Sequence, residues 1–188
     1  MELRNALSVV SVAVHVVQAK LRTRLNELSS EEGFVASLHV HPPEPGGPLI
    51  GVAQIELVEQ KGIREDSRYF NRKSRTTGQP GKRQVTLIEC EQIEEHSKEL
   101  GIAHLQAGVV RSNIETTGIS LQELVGLQVQ IGEAVLLIYE PRTPCQKMDL
   151  IHPGLRARME NARQGVLAQV MRSGMVRVGD GIRKLPEP

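Results

Sequence analysis

Short segments in which apolar and polar positions alternate recur along most of this chain. In residues 34–41 every second position from Phe34 to Val40 is apolar, as in a half-buried β-strand, and Pro42-Pro43 ends the pattern. Further strand patterns lie at residues 50–58, 85–88, 109–114, 127–131, 134–139, 166–171 and 175–178, and the run 134–139 is nearly all apolar, which predicts a central strand buried on both faces. We interpret the last two as a hairpin that turns at Ser173-Gly174. At least seven short strands predict a mainly β or α+β fold of the barrel type.

Few segments have the period of a helix. Residues 91–100 predict an acidic helix, and residues 155–163 predict another. Ser120 and Glu123 have the spacing of a capping box, which predicts one helical turn at residues 121–124. Residues 1–32 stand apart, because their apolar positions suit one face of a helix while the β-branched run within them suits a strand equally well. Periodicity leaves both alternatives open there.

Composition narrows the classes of function. The 188 residues include 23 basic and 22 acidic side chains, so the net charge of +1 gives no overall field that favours nucleic acid or membrane. Aromatic residues make up only 2 %, too few for the platforms on which exposed bases stack. The apolar residues 6–19 are too few to span a bilayer and lack a basic leader, although a transit peptide stays open. We expect a cytoplasmic protein whose core consists of Val, Ile, Leu and Ala.

The two cysteines, Cys90 and Cys145, are too few for a Cys-rich zinc site or a disulfide framework, which indicates reduced thiols. Cys145 follows Pro144 in a proline-stiffened segment outside any apolar period. A thiolate there could bind a metal or act as the nucleophile in sulfur transfer, whereas the plain alternative is a small buried residue. Cys90 ends a predicted strand, and we interpret it as structural.

Residues 61–83 form a long segment without an apolar period, and they include eight basic side chains but only two acidic ones. Long loops of this kind in compact domains are usually functional or disordered. Asp66 and three nearby cations could frame an anionic ligand, although a solvated charged loop is the plain alternative. The three cations are Arg64, Arg68 and Lys73.

Several short motifs follow one another in a distinctive order. They are Gly62-Ile63 with Asp66, RQVTLI at residues 83–88, RSNI at residues 111–114, Gly118, Leu124, Gly126, IGEA at residues 131–134, Pro144-Cys145, Gly165-Val166 and GMVRVGD at residues 174–180. This order resembles that of the MOSC domain, named after the C-terminal domain of molybdenum cofactor sulfurase, and in particular its small stand-alone members. The resemblance covers residues 33–182, so residues 1–32 are interpreted as an N-terminal extension and residues 183–188 as a tail.

The resemblance implies a β-barrel with a basic cleft that binds a molybdenum cofactor, Mo-molybdopterin. It also implies a cysteine, here Cys145, that either ligates molybdenum or holds sulfur as a persulfide. Two positions depart from the family pattern. Glu65 stands before the aspartate where many members have glycine, and His41-Pro42-Pro43 replaces a Lys-Ser pair that cofactor-reducing members have after the first strand.

Arg111 and Asn113 lie one residue apart in the predicted strand 109–114, so their side chains should share one face. A guanidinium can bind a phosphate through two N–H groups, and an amide can pair with a pterin edge. Without the resemblance these would be a surface arginine and a turn-forming asparagine; with it, we place both at the cofactor. The other predicted cofactor contacts are Thr143, Asp66 and Arg64.

His39 and His41 could bind a metal, but with no third ligand we interpret them as surface histidines.

Three functions compete. The first is an oxidoreductase that reduces a small substrate, N-hydroxylated compounds being the class that the resemblance suggests, with electrons from a separate donor protein because no flavin, haem or iron–sulfur motif is visible. The second is a non-redox sulfur carrier or cofactor-delivery module with a persulfide on Cys145, supplied by a separate sulfurtransferase. The third, a module that binds RNA or another anion, is disfavoured by the scarce aromatic residues and the balanced charge.

Overall fold

The structure is a computed structural model that describes residues 33–44 and 48–186. The predicted N-terminal extension, residues 1–32, lies outside the described residues. The strands are β1 (Gly33–Val40), β2 (Ile50–Val52), β3 (Gln54–Val58), β4 (Gly62–Ile63), β5 (Val85–Glu89), β6 (Ile114–Thr117), β7 (Gln128–Ile131), β8 (Ala134–Pro141), β9 (Val166–Arg172), β10 (Gly174–Arg177) and β11 (Gly181–Lys184). The helices are α1 (Cys90–Leu100), α2 (Lys147–Ile151) and α3 (Leu155–Arg158), with a 3₁₀ turn at Leu121–Leu124.

Seven strands close into a barrel, which confirms the predicted fold class. Their order is β11-β7-β8-β9-β5-β6-β1, and β1 closes the ring by pairing with β11 through Gly33 and Ile182. The other end of β1 pairs with β2 through Leu38 and Val52. Strand β1 therefore belongs to the barrel and also pairs with β2, which lies outside the ring. Strands β5 and β6 run parallel, and α1 lies in the crossover that such a pair requires. Of the described helices, none has the length and apolar character to cross a bilayer.

The barrel interior is filled by aliphatic side chains, as the composition predicts. Leu87, Leu136 and Ile138 are fully buried in it, and no aromatic ring belongs to this cluster of the described residues. Burial of such side chains is the main free-energy gain of folding, at roughly 25 cal/mol per Å² of apolar surface. The barrel therefore supplies a rigid frame for the loops at its ends.

A second, smaller apolar cluster lies beside the barrel and supports the segment that contains Cys145. Met148 of α2 is fully buried in it, together with Leu155 of α3 and Ile93 of α1. The backbone N–H of Met148 donates to the carbonyl oxygen of Cys145 at 3.0 Å. Because Met148 cannot move without losing its apolar contacts, this hydrogen bond fixes the backbone of Cys145.

Several predicted boundaries are wrong, and two of the errors have a tertiary cause. The predicted strand 50–58 is two strands, because β2 pairs with β1 while β3 pairs with β10 and β4 in a separate three-stranded sheet. The predicted hairpin does not form, since β10 pairs with β3 and not with β9. A Cβ on Gly174 would lie 2.4 Å from the backbone of Glu133, so only glycine permits this path.

The predicted strand 109–114 is also wrong. Residues before Ile114 form a turn, and Arg111 has a φ of 63°, a left-handed conformation that interrupts a strand. The second predicted helix ends at Arg158, five residues early, and β11 continues to Lys184, into the predicted tail. The helical turn at Leu121–Leu124 is confirmed, but its first N–H bonds to the carboxylate of Glu89 at 2.9 Å and Ser120 makes no cap.

Candidate functional site

A cleft of three connected basins lies where the chain leaves β8 for the segment with Cys145. The central one, the Cys145 basin, has a volume of about 220 Å³. Five of its nine lining residues are cationic: Arg68, Arg83, Arg111, Arg142 and Lys147. None of the described residues that line it is acidic. On a protein of net charge +1, this is a strong local concentration of positive charge.

Two further basins flank it. The proline basin, of about 350 Å³, is bounded by His41, Pro42 and Pro43, and it shares Arg68, Arg111 and Lys147 with the Cys145 basin. The loop basin, of about 310 Å³, is bounded by residues of the 72–83 segment and shares Tyr69 and Arg83 with the Cys145 basin. Because the Cys145 basin shares walls with each of the other two, the three basins are neighbours, and together they form the cleft.

Cys145 is an exposed free thiol in the cleft, so the alternative of a small buried residue is wrong. Cys90 differs from it in both position and chemistry. Its side chain is half-buried, and burial, with the nearby carboxylates of Glu115, Glu91 and Glu94, raises its pKa to about 11. A thiol with such a pKa forms little thiolate at neutral pH, so Cys90 is a poor nucleophile and a poor metal ligand.

Arg142 is a site residue that the sequence interpretation missed. It follows the last residue of β8 and is only 6 % exposed, yet it lines the Cys145 basin. Its Nη1 donates to the hydroxyl of Ser112 at 3.0 Å, and burial lowers its pKa to about 10, which keeps it charged at neutral pH. Within the described part of the chain it pairs with no carboxylate. Its place between the two prolines before Cys145 is the signal that could have identified it.

Asp66 lies behind the cleft wall and does not face the ligand space. It is 1 % exposed, and its carboxylate accepts five hydrogen bonds. Burial acts to raise the pKa of Asp66, but the hydrogen bonds and charge of His41 and the amide of Tyr69 outweigh it, so the pKa lies below its ordinary value. Asp66 is therefore a buried carboxylate that positions the residues around it.

Asn113 belongs to the same buried network. Its Nδ2 donates to Asp66 Oδ2 at 3.0 Å and to the carbonyl of His39 at 3.1 Å, while its Oδ1 accepts from the hydroxyl and amide of Thr86. The expectation that Asn113 and Arg111 share one strand face is wrong, because both precede β6 and only Arg111 lines the cleft. The side-chain amide of Asn113 thus makes its hydrogen bonds to other protein groups. Asn113 can affect a ligand in the cleft only indirectly, by positioning Asp66.

The two histidines expected at the surface are buried, which corrects that interpretation. His39 is 4 % exposed and His41 is 6 % exposed. His41 Nδ1 lies 2.8 Å from Asp66 Oδ2, and the ring borders both the Cys145 and proline basins. The His39 ring lies beside Gly108 instead, so close that a Cβ on Gly108 would be 2.7 Å from its Cδ2, and burial lowers the pKa of His39. The pair thus separates into one histidine at the cleft and one in the interior.

Arg64 and Thr143, which the resemblance places at the cofactor, do not line any of the three basins. The Arg64 guanidinium binds the carboxylate of Glu56 through two nitrogens, with one contact of 2.7 Å, and it also lies 5.9 Å from the ring centre of Phe70. Thr143 is exposed beside Arg142. In this conformation neither side chain reaches the cleft.

Tyr69 is the second feature that sequence interpretation missed. Three guanidinium groups, from Arg68, Arg72 and Arg83, lie 5.4, 5.7 and 5.0 Å from the centre of its ring. Its ring also packs edge-on against His41, with a centroid separation of 5.2 Å. Cation–π contacts of this kind hold the arginines in position without neutralising their charge. The rigid Tyr69 ring therefore organises the cations of the cleft.

Comparisons with known proteins agree with this architecture. The family model of the MOSC domain matches residues 55–183. The fold is similar to that of the YuaD protein from Bacillus subtilis, with a TM-score of 0.65 and 18 % identity over 80 % of this chain and 93 % of that one. It is also similar to YiiM from Geobacillus stearothermophilus, with a TM-score of 0.63 and 17 % identity over 82 % and 75 %.

A further similar structure is YiiM from Escherichia coli, with a TM-score of 0.60 and 17 % identity over 83 % of this chain and 71 % of that one. Identities this low show a shared fold only. No curated protein matches this sequence. The family model, however, covers more than half of the chain, which confirms the resemblance found in the motifs: the protein belongs to the MOSC domain family.

Proposed function

We propose that this protein binds Mo-molybdopterin in the cleft and acts as a cytoplasmic oxidoreductase, with Cys145 as the protein ligand to molybdenum. The MOSC family is associated with functions related to the molybdenum cofactor. The observation on which the proposal depends is the exposed thiol of Cys145 in a basin whose charged lining residues are all cations. A soft thiolate suits the metal, and the surrounding cations suit an anionic cofactor.

The donor set of the cleft supports the cofactor and not a bare metal ion. Among the described residues, no group of three or more His, Cys, Asp or Glu side chains could hold a metal. Cys145 is thus a single protein ligand, so a metal here needs its other ligands from a cofactor. A pterin dithiolene provides such ligands, and the bound metal would supply the redox chemistry.

The chain's own residues have separable roles in this proposal. Arg111, Arg142 and Lys147 bind the anionic groups of the cofactor, while Met148 fixes the backbone of Cys145. Because His41 Nδ1 lies against Asp66 and the ring borders the cleft, we assign the transfer of a proton to the substrate to the other ring nitrogen, His41 Nε2. Reduction of an N-hydroxylated substrate breaks the N–O bond, consumes protons and electrons, and releases the oxygen as water. The electrons come from a separate donor protein.

Exposure of the thiol also supports the second candidate, a sulfur carrier or cofactor-delivery module with a persulfide on Cys145. A sulfurtransferase partner would have to reach this sulfur, and an exposed side chain permits that. Mass spectrometry of the freshly purified protein distinguishes the two functions. An added sulfur atom on Cys145 together with absent molybdenum supports the carrier, whereas bound molybdenum supports the oxidoreductase.

The proposal is tested by elemental analysis of the full-length protein and two matched variants. Cys145→Ser should abolish retention of molybdenum, and Cys90→Ser should retain it, because only Cys145 lies in the cleft. Equal molybdenum content in the wild type and in Cys145→Ser would contradict the assignment of the metal ligand.

A further inference from the structure

The loop basin lies at the end of the cleft away from Cys145. Of the residues that define the Cys145 basin, only Tyr69 and Arg83 also line the loop basin; Cys145 and Arg142 do not. At about 310 Å³, the loop basin has room for a chemical group separate from the one beside the thiol. A ligand or pair of ligands could therefore occupy both basins at once.

The charged residues that line the loop basin are all positive. Five of its eight lining residues are basic, namely Arg72, Lys73, Arg75, Lys82 and Arg83, and none of the described lining residues is acidic. The ion pairs of the described residues all lie elsewhere. Like charges held together without a carboxylate repel one another, and a bound anion removes that repulsion.

Backbone hydrogen bonds hold the segment that lines the loop basin. Lys73 and Pro80 form an isolated β-bridge, and the amide of Gly81 donates to the carbonyl of Arg72 at 2.8 Å. The guanidinium groups of Arg72 and Arg83 both lie over Tyr69, which is 7 % exposed. Cations are thus fixed at both ends of the 72–83 segment, which lowers the entropy lost when they bind a ligand.

We propose that the loop basin is a second phosphate-binding subsite, distinct from the contacts that hold the cofactor beside Cys145. This inference deepens the proposed function and rests on it. Guanidinium groups bind phosphate oxygens through paired N–H donors. Five cations are more than one carboxylate would need to balance its charge, which favours a phosphate as the ligand. Ser74 adds a hydroxyl whose oxygen accepts from the amide of Thr77, so its hydrogen is free to donate. The phosphate belongs either to a nucleotide extension of the cofactor or to a phosphorylated substrate.

The first test measures binding of inorganic pyrophosphate to the full-length protein without cofactor, by isothermal titration calorimetry. The double variant Arg75→Gln/Lys82→Gln should bind roughly tenfold or more weakly, because two charge-assisted contacts are lost. Its matched control is Arg172→Gln/Lys98→Gln, which removes the same charges from β9 and α1. The control should bind within about twofold of the wild type, since its charges lie outside the basins and are screened.

Wild-type affinity in the Arg75→Gln/Lys82→Gln variant, or an equal loss in the control, would overturn the proposal. Thermal melting of both double variants checks that they are folded. This titration uses protein without cofactor, so its outcome is independent of whether Cys145→Ser loses molybdenum. Failure of the subsite and failure of the proposed function are therefore distinguishable.

The second test repeats the titration with molybdenum-loaded protein and analyses the cofactor that denaturation releases. A nucleotide in the released cofactor, together with lost pyrophosphate binding, assigns the subsite to a cofactor extension. Pyrophosphate binding that survives loading assigns it to a phosphorylated substrate. If loading abolishes pyrophosphate binding and the released cofactor has only its single phosphate, the proposal is overturned, because the loop basin would then be the ordinary phosphate site of the cofactor.

Discussion

Asp66 and His41 are joined by two hydrogen bonds at the wall of the cleft. One carboxylate oxygen, Asp66 Oδ2, lies 2.8 Å from Nδ1 of the His41 ring and accepts from the His41 backbone amide at 3.1 Å. The same oxygen accepts from Asn113 Nδ2 at 3.0 Å. A buried carboxylate thus sets the ring orientation of a histidine that borders the cleft.

The lowered pKa of Asp66 predicts how its contribution to stability varies with pH. A carboxyl whose pKa is lower in the folded than in the unfolded state stabilises the fold above its unfolded pKa, about 3.9. That contribution is lost as the pH falls through the folded-state pKa. We therefore expect the difference in unfolding free energy between wild type and Asp66→Asn to reach its full value above about pH 5 and to shrink below about pH 4. Urea unfolding at several pH values measures it, and a difference independent of pH would contradict it.

Asn113→Asp should destabilise the protein more than Asn113→Ala does. The aspartate would place a second carboxylate against Asp66 Oδ2 and lose the donor that now bonds to it at 3.0 Å. Because both groups are buried, we expect the aspartate variant to lose about 3 kcal/mol or more. Alanine removes the same donor without adding charge. Thermal melts of both variants provide the comparison, and equal melting temperatures would show that no repulsion arises.

Arg111→Ala should weaken cofactor binding by roughly 2–3 kcal/mol, because a charge-assisted contact is lost and an acceptor is left unpaired. Arg111→Lys should recover only part of this affinity, since an ammonium cannot make the paired contact. Cofactor dissociation constants measure the effect, with thermal melts to exclude unfolding. Unchanged affinity in a folded Arg111→Ala variant would indicate that Arg142 and Lys147, which line the same basin, make the anion contacts without Arg111.

The two cysteines should differ in their rate of alkylation. At about pH 8, Cys145 should react with iodoacetamide at least tenfold faster than Cys90, because Cys145 is exposed and burial raises the pKa of Cys90 to about 11. Mass spectrometry of the labelled peptides measures both rates in the native protein. Similar rates for the two thiols would show that Cys90 is more accessible than its burial indicates.

Deletion of residues 1–30 should leave a folded barrel that binds the cofactor. The family match begins at residue 55, and the barrel closes through β1, which starts at Gly33. We expect the truncated chain to keep a cooperative melting transition and its molybdenum. Loss of that transition would show that the N-terminal segment belongs to the core.

Local patterns predicted much of the barrel and part of the site. Strand β8 follows from a nearly continuous apolar run, which predicts a strand buried on both faces, and α1 follows from an acidic segment with the period of a helix. The proline-stiffened segment outside any apolar period indicated Cys145 as a candidate, and the structure shows that its thiol is exposed. The hairpin of β9 and β10 was predicted wrongly, because a strand's partner depends on residues far away in the chain, here β3.

The sequence by itself determined the fold class and the family, since alternation and the order of motifs can be read along the chain. Only the tertiary structure decided which polar residues face the ligand. It placed Arg142 in the Cys145 basin, placed Asn113 behind Asp66, and gathered Arg68, Arg72 and Arg83 around Tyr69. The physical reason is that the direction of a loop side chain depends on what packs behind it, and no local period encodes those contacts.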